Sequence, residues 1–393
     1  MPQTQPPLST ILPPLVCGTA TFNNQYNPSV DLLPTNAIIE RALSLGVRAF
    51  DTSPYYGPSE ILLGTALNTP TVLAAHPRSS YFLITKVGRI GGSEFDYSAE
   101  WVRYSVQRSL ERLKTGWLDV VYCHDVEFVT PTEVLGAIKE LRRLRDVEGT
   151  VKYVGISGYP VPLLCELAEL VLRETGEPLD AVMSYANFTL QNATLATEGL
   201  ERLRRAGVGV VPNASVLGMG LLRSQGVPVG GKGDFHPAPD QLRRAVASAA
   251  RWIEWHGERL EVVAIRWGLE NWAEVGSTLG GKGGIGVSVM GVSNVGELEE
   301  TMRVWNSVLD GIDIAGRNVG KEEKEWSIER RADVEVLGRG VMDLLGKWKG
   351  FAWSSPDENY VNIRTVKGVV DEVAPMSVEK HENVAKVDKS SRL

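Results

Sequence analysis

The sequence predicts an α/β fold, a closed (β/α)8 TIM barrel with a C-terminal extension, and three observations lead to it. Eight short apolar runs alternate with eight longer amphipathic segments over the first 310 of 393 residues, as parallel strands joined by helices do. The glycine triplet that an open dinucleotide-binding sheet places after its first strand is missing. A single barrel accommodates about 250 residues or more, so the length does not require two domains of ordinary size.

The strands are predicted from runs that are mostly rich in Val, Ile and aromatic residues and too short for helices. They cover residues 15–18, 49–51, 82–86, 118–124, 153–157, 181–184, 208–214 and 286–291. The helices are predicted from apolar positions three or four residues apart. They cover residues 36–45, 59–67, 99–113, 131–147, 161–173, 195–206, 241–255 and 296–309.

The alternation ends near residue 310, which predicts a barrel over residues 1–310 and a charged extension over 311–393. One helix is expected in the extension, at residues 334–345. The last 20 or so residues have the composition of a disordered tail.

Composition excludes several classes of protein. The 41 Lys and Arg residues are outnumbered by 48 Asp and Glu, for a formal net charge of −7, so we expect neither a nucleic-acid nor an anionic-membrane partner. No apolar run approaches the roughly 20 residues of a membrane span. Three scattered cysteines, Cys17, Cys123 and Cys165, predict no disulfide framework and no zinc site.

These features favour a reducing compartment, and we expect a cytoplasmic protein. The C-terminal tripeptide Ser391-Arg392-Leu393 differs at one position from the peroxisomal address S-K-L. Peroxisomal targeting is therefore an alternative, although a chance tripeptide is the simpler interpretation.

Four polar residues stand at or just after the ends of predicted strands, where a barrel keeps its active site. They are Asp51, Tyr56, Lys86 and His124. Taken singly, each has a structural explanation: a helix cap, a turn, a solvated strand end and a satisfied histidine. Together they favour proton transfer, because an ammonium lowers the pKa of a nearby tyrosine and a carboxylate can orient that ammonium. Such a site suits chemistry at a carbonyl or alcohol oxygen while a nicotinamide carries the hydride.

The order of these motifs resembles the aldo-keto reductase family over about residues 10–310. The resemblance is carried by Asp51-Thr-Ser-Pro-Tyr-Tyr56-Gly, by Ile84-Thr-Lys86, by Cys123-His124-Asp125, by Val154-Gly-Ile-Ser157 and by Val289-Met-Gly-Val-Ser293. Members are (β/α)8 barrels that bind a nicotinamide dinucleotide across the C-terminal rim. The resemblance implies that Tyr56 is the general acid/base, that Lys86 lowers its pKa, that Asp51 supports Lys86 and that His124 orients the substrate oxygen. Tyr55 is expected to be a packing residue.

The resemblance also implies a set of cofactor contacts, although some positions depart from the family pattern. Gly158 stands where asparagine is usual, Ser184 where glutamine is usual, and Ala214 replaces an aromatic residue. The expected contacts are Thr19, Ser157, Ser184, Ser215, Leu217, Gly291, Ser293, Glu297 and Glu300.

The segment after the eighth strand favours NAD over NADP. Members that use NADP place a Lys and an Arg where this chain has Gly291 and Glu297. A carboxylate repels a 2′-phosphate but accepts hydrogen bonds from ribose hydroxyls, so we expect Glu297 and Glu300 near the adenosine. The alternative is an acidic first helical turn favoured by the helix dipole.

Within the family the resemblance is greatest to NAD-dependent dehydrogenases of D-arabinose and L-galactose. It is carried by residues 51–63, 85–89, 94–98, 124–128, 155–160, 213–217 and 353–356. It implies oxidation of the anomeric C1 hydroxyl of a small-molecule aldose to the lactone, with D-arabinose favoured. The alternatives are an L-galactose dehydrogenase, a general NAD(P)H-dependent aldehyde reductase, and a non-enzymatic cofactor-binding regulatory subunit. The intact set of Asp51, Tyr56, Lys86 and His124 argues against the last.

Overall fold

A computed structural model confirms the closed barrel and describes residues 5–27, 29–227, 233, 235–312, 314 and 317–369. Eight parallel strands follow one another around the barrel in sequence order, and the eighth pairs with the first. The strands are β1 Leu15–Gly18, β2 Ala49–Asp51, β3 Phe82–Val87, β4 Leu118–His124, β5 Val151–Gly158, β6 Ala181–Tyr185, β7 Asn213–Ala214 and β8 Ser288–Gly291.

Helices surround this barrel and extend beyond it. They are α1 Leu8–Ile11, α2 Thr35–Ser44, α3 Ser59–Leu67, α4 Pro70–Ala75, α5 Ala99–Leu113, α6 Pro131–Arg143, α7 Val161–Thr175, α8 Leu200–Arg205, α9 Asp240–Trp255, α10 Leu260–Val275, α11 Val295–Gly311 and α12 Lys321–Leu345. In the part of the chain that the structure describes, no helix combines the length and apolarity needed to cross a bilayer.

The seventh strand is shorter than the predicted run of residues 208–214. Only Asn213–Ala214 forms a ladder, and Val210 makes an isolated bridge to Ala181. Pro212 lies between these two pairings and has no N–H group with which to continue the ladder.

The sequence analysis predicts one helix before the eighth strand, at residues 241–255, and does not predict helix α10. The structure has two helices there: α9 packs on α12, and α10 contacts β8. Helix α10 buries an ion pair, Arg266 with Glu270 at 3.3 Å, among its apolar residues. Charged residues at buried positions interrupt the stripe by which an amphipathic helix is recognised.

The extension packs on the barrel through α12, which begins 13 residues before the predicted start at residue 334. Its apolar face, including Val334, Leu337 and Val341, joins the same core as the barrel helices. Residues 351–369, called the C-terminal segment below, then cross the carboxyl ends of the strands without regular secondary structure. The predicted disordered tail and the tripeptide Ser391-Arg392-Leu393 lie outside the described residues, and the division at residue 310 remains a prediction.

The barrel interior is filled by alternate residues of the strands. A cluster that includes Val16, Ala49, Ile84, Val120 and Met183 occupies the axis. The residues between them face the helices, because successive side chains of a strand point to opposite faces. Because apolar side chains fill the rest of the axis, the polar axial residues lie at the carboxyl ends of the strands.

Candidate active site

The structure brings Asp51, Lys86, Tyr56 and His124 together at the carboxyl ends of β2, β3 and β4. The Lys86 ammonium donates to Asp51 Oδ1 at 2.7 Å and to the backbone carbonyl of Thr52 at 2.9 Å. It also lies 4.9 Å from the centroid of the Tyr56 ring. The Tyr56 and His124 rings meet edge to face with centroids 5.7 Å apart. The predicted grouping of the four side chains is therefore present.

Strand alternation explains why three of these side chains converge. Asp51 follows the axial Ala49 by two residues, Lys86 follows the axial Ile84, and His124 lies two residues beyond the axial Tyr122. Each therefore points toward the axis at the end of its strand. Asp51, Lys86 and His124 are almost fully buried, and Tyr56 is half-buried on the turn before α3.

A buried carboxylate fixes the helix that follows the Tyr56 turn. Glu60 accepts hydrogen bonds from Thr85 and Ser109 at 2.7 Å each and pairs with Arg112 at 3.2 Å. These contacts fix helix α3 to β3 and α5, so the turn that carries Tyr56 ends at a helix of fixed position.

Thr19, an expected cofactor contact, is completely buried beside this turn. Its hydroxyl donates to the backbone carbonyl of Asp51 at 3.0 Å and accepts from the Ser59 hydroxyl at 2.6 Å. These hydrogen bonds connect the end of β1 to β2 and α3. The Thr19 hydroxyl therefore helps to fix the positions of the elements that carry Asp51 and Tyr56.

The electrostatics of Tyr56 differ from the prediction that Lys86 lowers its pKa. Burial raises the pKa of Tyr56 well above its ordinary value, the carboxylates of Asp51 and Asp125 raise it further, and Arg89 is the cation that lowers it. The Lys86 ammonium is paired with Asp51, and the Asp51 carboxylate raises the pKa of Tyr56. In the protein alone, Tyr56 is therefore a protonated phenol.

His124 is held neutral. Burial lowers its pKa to about 3, with Lys86 and Arg89 acting in the same direction against the opposing effect of Asp125. The Nδ1 atom lies 3.1 Å from the Ser53 hydroxyl. A neutral imidazole has one donor and one acceptor nitrogen, so it can orient an oxygen without carrying charge.

Two charged residues of the site were not predicted from the sequence. Arg89 forms an ion pair with Asp125 Oδ2, and the same oxygen lies 3.5 Å from His124 Nε2. The guanidinium also donates to the Tyr55 hydroxyl at 3.0 Å and stacks 3.8 Å from the centroid of that ring. Both residues could have been predicted from their positions, because each closely follows the end of a strand. Tyr55, expected to be a packing residue, lines the site against Arg89 and His124.

The C-terminal segment covers one side of the site. Trp353 stacks on Tyr159 with ring centroids 4.6 Å apart, and Ser355 donates to Glu127 Oε1 at 3.0 Å. Burial raises the pKa of Glu127 to about 8. Gly158 faces this carboxyl: a Cβ there would lie 2.5 Å from Glu127 Oε2. The glycine that replaces the family's usual asparagine therefore makes room for Glu127.

The same segment is anchored further along to the loop after β3. The Asn362 amide accepts from the N–H of Phe95 at 3.1 Å and donates to its carbonyl at 2.8 Å. Arg364 pairs with the fully buried Asp96 at 3.0 Å. An open depression of about 390 Å³ lies between the segment and the residues after β4, with Tyr360 and Glu133 among its lining.

The predicted contacts on β5 and β6 differ in orientation. Ser157 lies beside His124 in the strand register and, like it, faces the axis. Ser184 faces the helix layer, where its hydroxyl accepts from Asn187 Nδ2 at 3.0 Å. Tyr185 is the neighbouring residue that points to the axis, because side chains alternate. This geometry argues against a direct contact of Ser184 with a ligand on the axis.

The segment after β7 is a compact turn. Ser215, Gly218, Met219 and Gly220 all have positive φ, and the Ser215 hydroxyl accepts from the Met219 N–H at 2.8 Å. Leu217, the other predicted contact there, is half-buried within the turn. Residues of this conformation can gather backbone N–H groups into a concave anion site.

The residues after β8 form the start of α11. Gly291 is exposed at the strand end. The backbone N–H of Ser293 donates to Glu297 Oε2 at 2.8 Å, and the N–H of Glu297 donates to Asn294 Oδ1 at 2.8 Å. The Glu297 carboxylate thus caps the helix start, in line with the alternative interpretation of this acidic turn.

Glu300 has a partner that the sequence did not indicate. Its carboxylate pairs with Arg259 at 2.6 Å, on the exposed surface between α10 and α11. A guanidinium therefore lies near the start of α11 with its charge already offset.

A model of the aldo/keto reductase family matches residues 14–316. The chain is 42% identical over 329 residues to D-arabinose 1-dehydrogenase of Saccharomyces cerevisiae, covering 80% of this chain and 93% of the relative. It is 36% identical over 285 residues to L-galactose dehydrogenase of Arabidopsis thaliana, covering 70% of this chain and 84% of the relative.

Among solved structures, a glycerol dehydrogenase from Gluconobacter oxydans superimposes with a TM-score of 0.58 at 20% identity. The match covers 89% of this chain and 96% of that one. At this level of identity the similarity supports the fold alone.

Proposed function

The chain belongs to the aldo/keto reductase family, and from that premise we propose that it is an NAD-dependent aldose 1-dehydrogenase. It oxidises the C1 hydroxyl of an aldose, with D-arabinose the favoured substrate, to the aldonolactone. The observation that carries the proposal is the convergence of Tyr56, the Lys86–Asp51 pair and neutral His124 at one end of the barrel. The 42% identity to a D-arabinose 1-dehydrogenase supports the choice of substrate class.

In this proposal Tyr56 exchanges the proton of the C1 oxygen and His124 orients that oxygen. The Tyr56 phenol suits proton donation to a carbonyl, since it is protonated in the protein alone. In the oxidation direction it accepts the C1 hydroxyl proton as a phenolate, and Arg89 favours that form. Asp51 holds the Lys86 ammonium in place. Hydride transfer from C1 would need a nicotinamide as the acceptor, which the bound cofactor would supply.

The residues at the strand ends fit a nicotinamide dinucleotide by their chemistry. The axial Ser157 hydroxyl suits an amide, and the turn at residues 215–220 offers backbone donors that suit a pyrophosphate. Ser157, Ser215, Leu217, Gly291 and Ser293 are the residues that we propose hold the cofactor.

The absence of basic residues at Gly291 and Glu297 supports NAD over NADP. Replacing Glu297 with Arg should shift the ratio of kcat/KM for NAD to that for NADP toward NADP by at least tenfold, because a guanidinium attracts a 2′-phosphate. Glu299→Arg makes the same change of charge two residues further along α11 and should leave the ratio nearly unchanged. An equal ratio in wild type and Glu297→Arg would contradict the position assigned to Glu297.

A spectrophotometric assay at 340 nm tests the reaction. NAD and NADP are each offered with D-arabinose, L-galactose, L-fucose and L-xylose. D-Arabinose and L-galactose share the configuration at C2 to C4, so both are expected to react, with NAD preferred. An enzyme that reduces simple aldehydes with NADPH but oxidises none of these sugars would exclude the proposal.

The role of Tyr56 is tested by Tyr56→Phe, which keeps the ring and removes the hydroxyl. We expect a loss of at least a hundredfold in kcat with an unchanged melting temperature, since proton transfer contributes about 10² to 10⁴. Tyr55→Phe is the matched control, and its loss should be far smaller. Substantial activity in Tyr56→Phe would contradict the mechanism.

A further inference from the structure

We propose that Arg89 and Asp125 form the part of the active site that recognises the non-reacting hydroxyl groups of the sugar. This inference rests on the proposed function as an aldose dehydrogenase. It names the residues that separate a polyhydroxylated substrate from a simple alcohol.

The pair lies within the site itself. Asp125 Oδ2 is 3.5 Å from His124 Nε2 and also forms the ion pair with Arg89. The edge-to-face contact of His124 with Tyr56 continues the cluster. Asp125 and His124 are 3% and 5% exposed, so the two side chains are buried side by side.

The backbone of Asp125 is in an unusual conformation. In a continued strand the residue after His124 would point toward the helices. Asp125 instead has φ +55° and ψ +63°, a left-handed conformation that non-glycine residues rarely adopt. As a result, two successive residues place their side chains in the same cluster. Strained conformations of this kind concentrate at functional sites.

The chemistry of the pair matches a diol. The Asp125 carboxylate is an acceptor, and its contacts with Arg89 and His124 both involve the Oδ2 atom. Two neighbouring hydroxyls can donate to one carboxylate, while a guanidinium donates to hydroxyl oxygens. The Arg89 guanidinium pairs with Asp125 and helps to hold the pKa of this carboxyl below its ordinary value despite burial, so the acceptor is ionised.

The guanidinium is held in one plane by aromatic rings. Arg89 stacks on Tyr55 at 3.8 Å and lies 5.4 Å and 5.5 Å from the ring centroids of Phe95 and Phe128. A fixed guanidinium loses little rotamer freedom when it binds a ligand, which favours specific recognition.

The test compares sugars that differ at a single carbon. 2-Deoxy-D-ribose is D-arabinose without the C2 hydroxyl, and D-lyxose is its C3 epimer. With NAD as the oxidant, kcat/KM is measured for all three in wild type and in Asp125→Asn. Asparagine tolerates the left-handed backbone and keeps the shape of the side chain. We expect wild type to favour D-arabinose over at least one of the two other sugars by about a hundredfold.

Asp125→Asn should reduce that preference at least tenfold, and Arg89→Lys should also reduce it because lysine lacks the planar fork. The matched control is Asp119→Asn at the other end of β4. Asp119 also pairs with an arginine, Arg78, at 2.6 Å. This control should leave the preference unchanged.

The outcomes separate this inference from the proposed function. If Asp125→Asn and Arg89→Lys lower kcat/KM for all three sugars by the same factor, the pair is structural and the inference is wrong, although the enzyme remains an aldose dehydrogenase. If wild type oxidises no aldose, the proposed function fails and the inference fails with it. If Asp125→Asn does not fold, the preference of Arg89→Lys decides.

Discussion

The buried imidazole of His124 makes the stability of the protein depend on pH. It is buried next to Lys86 and Arg89, and its pKa is lowered to about 3 from an ordinary 6.5. Below pH 6.5 the unfolded chain therefore binds a proton that the native protein does not bind. This histidine makes the protein less stable as the pH falls from 6.5 toward 3, by up to about 1.4 kcal/mol per pH unit.

Replacing His124 with Gln should remove this dependence. Thermal unfolding between pH 7 and pH 4 is expected to give a flatter curve of melting temperature for His124→Gln than for wild type. His256→Gln changes an exposed histidine and should follow the wild-type curve. Parallel curves for wild type and His124→Gln would show that His124 is not the origin of the acid sensitivity.

At the residue scale, the sequence could predict the position of side chains that lie at the end of a strand, because strand alternation sets their direction. Asp51, Lys86 and His124 converge because each occupies an axial position. It could not predict the direction of the Asp125 side chain, because the backbone of Asp125 adopts a left-handed conformation. Ser184 faces the helix layer and not the axis, because its direction depends on a register of one residue, which a motif match alone does not supply.

Helices α3 and α5 approach each other at a glycine. A Cβ on Gly64 would lie 2.7 Å from the Cα of Leu113 and would also overlap the Arg112 carbonyl. Backbone atoms cannot move aside as side chains do. The contact that positions α3, and with it the Tyr56 turn, therefore requires glycine.

Gly64→Ala should destabilise the protein by about 3 kcal/mol because it overpacks this contact. Gly136→Ala on α6 is the matched control: it is exposed, and an added Cβ meets nothing within 4 Å. There alanine should stabilise the protein by about 0.5–1 kcal/mol through its higher helix propensity. Denaturant unfolding of both variants measures the difference, and a loss at Gly136 equal to that at Gly64 would refute the packing argument.

At the element scale, hydrophobic periodicity correctly located the strands and helices whose sequences have a single clear apolar pattern. Strands β1, β2 and β4 and helices α3 and α5 have the predicted bounds. Helix α10 was missed because Arg266 and Glu270 satisfy each other inside the core. That compensation depends on pairing within the folded helix, and hydropathy along the chain treats both residues as exposed.

The C-terminal segment is joined to the barrel through Glu127. The pKa of this carboxyl is raised to about 8 from an ordinary 4.5, mainly by burial. The native protein therefore keeps a proton that the unfolded chain releases above pH 4.5. The stability that this group contributes is fully present below pH 4.5 and is lost as the pH rises toward 8.

Glu127→Gln should relieve this loss while keeping an acceptor for Ser355 and for the Tyr159 N–H. The difference in melting temperature between Glu127→Gln and wild type is expected to increase in favour of the variant from pH 5 to pH 8.5. A difference that stays constant over this range would mean that Glu127 does not titrate as proposed.

At the scale of the whole molecule, the path of the C-terminal segment could not be predicted from the sequence. Its anchors on Phe95 and Asp96 are separated from their partners by 267 and 268 residues. No local pattern relates positions so far apart, and the segment has no regular secondary structure to reveal its direction.

The ion pair of Arg364 with Asp96 has a consequence for the order of events during synthesis. Asp96 leaves the ribosome 268 residues before Arg364, which corresponds to on the order of tens of seconds of translation. During that interval the nascent barrel can assemble from its amino-terminal side, but the Asp96 carboxylate has no cation to accompany its burial. The loop after β3 therefore makes its final contacts only after residue 364 has been synthesised.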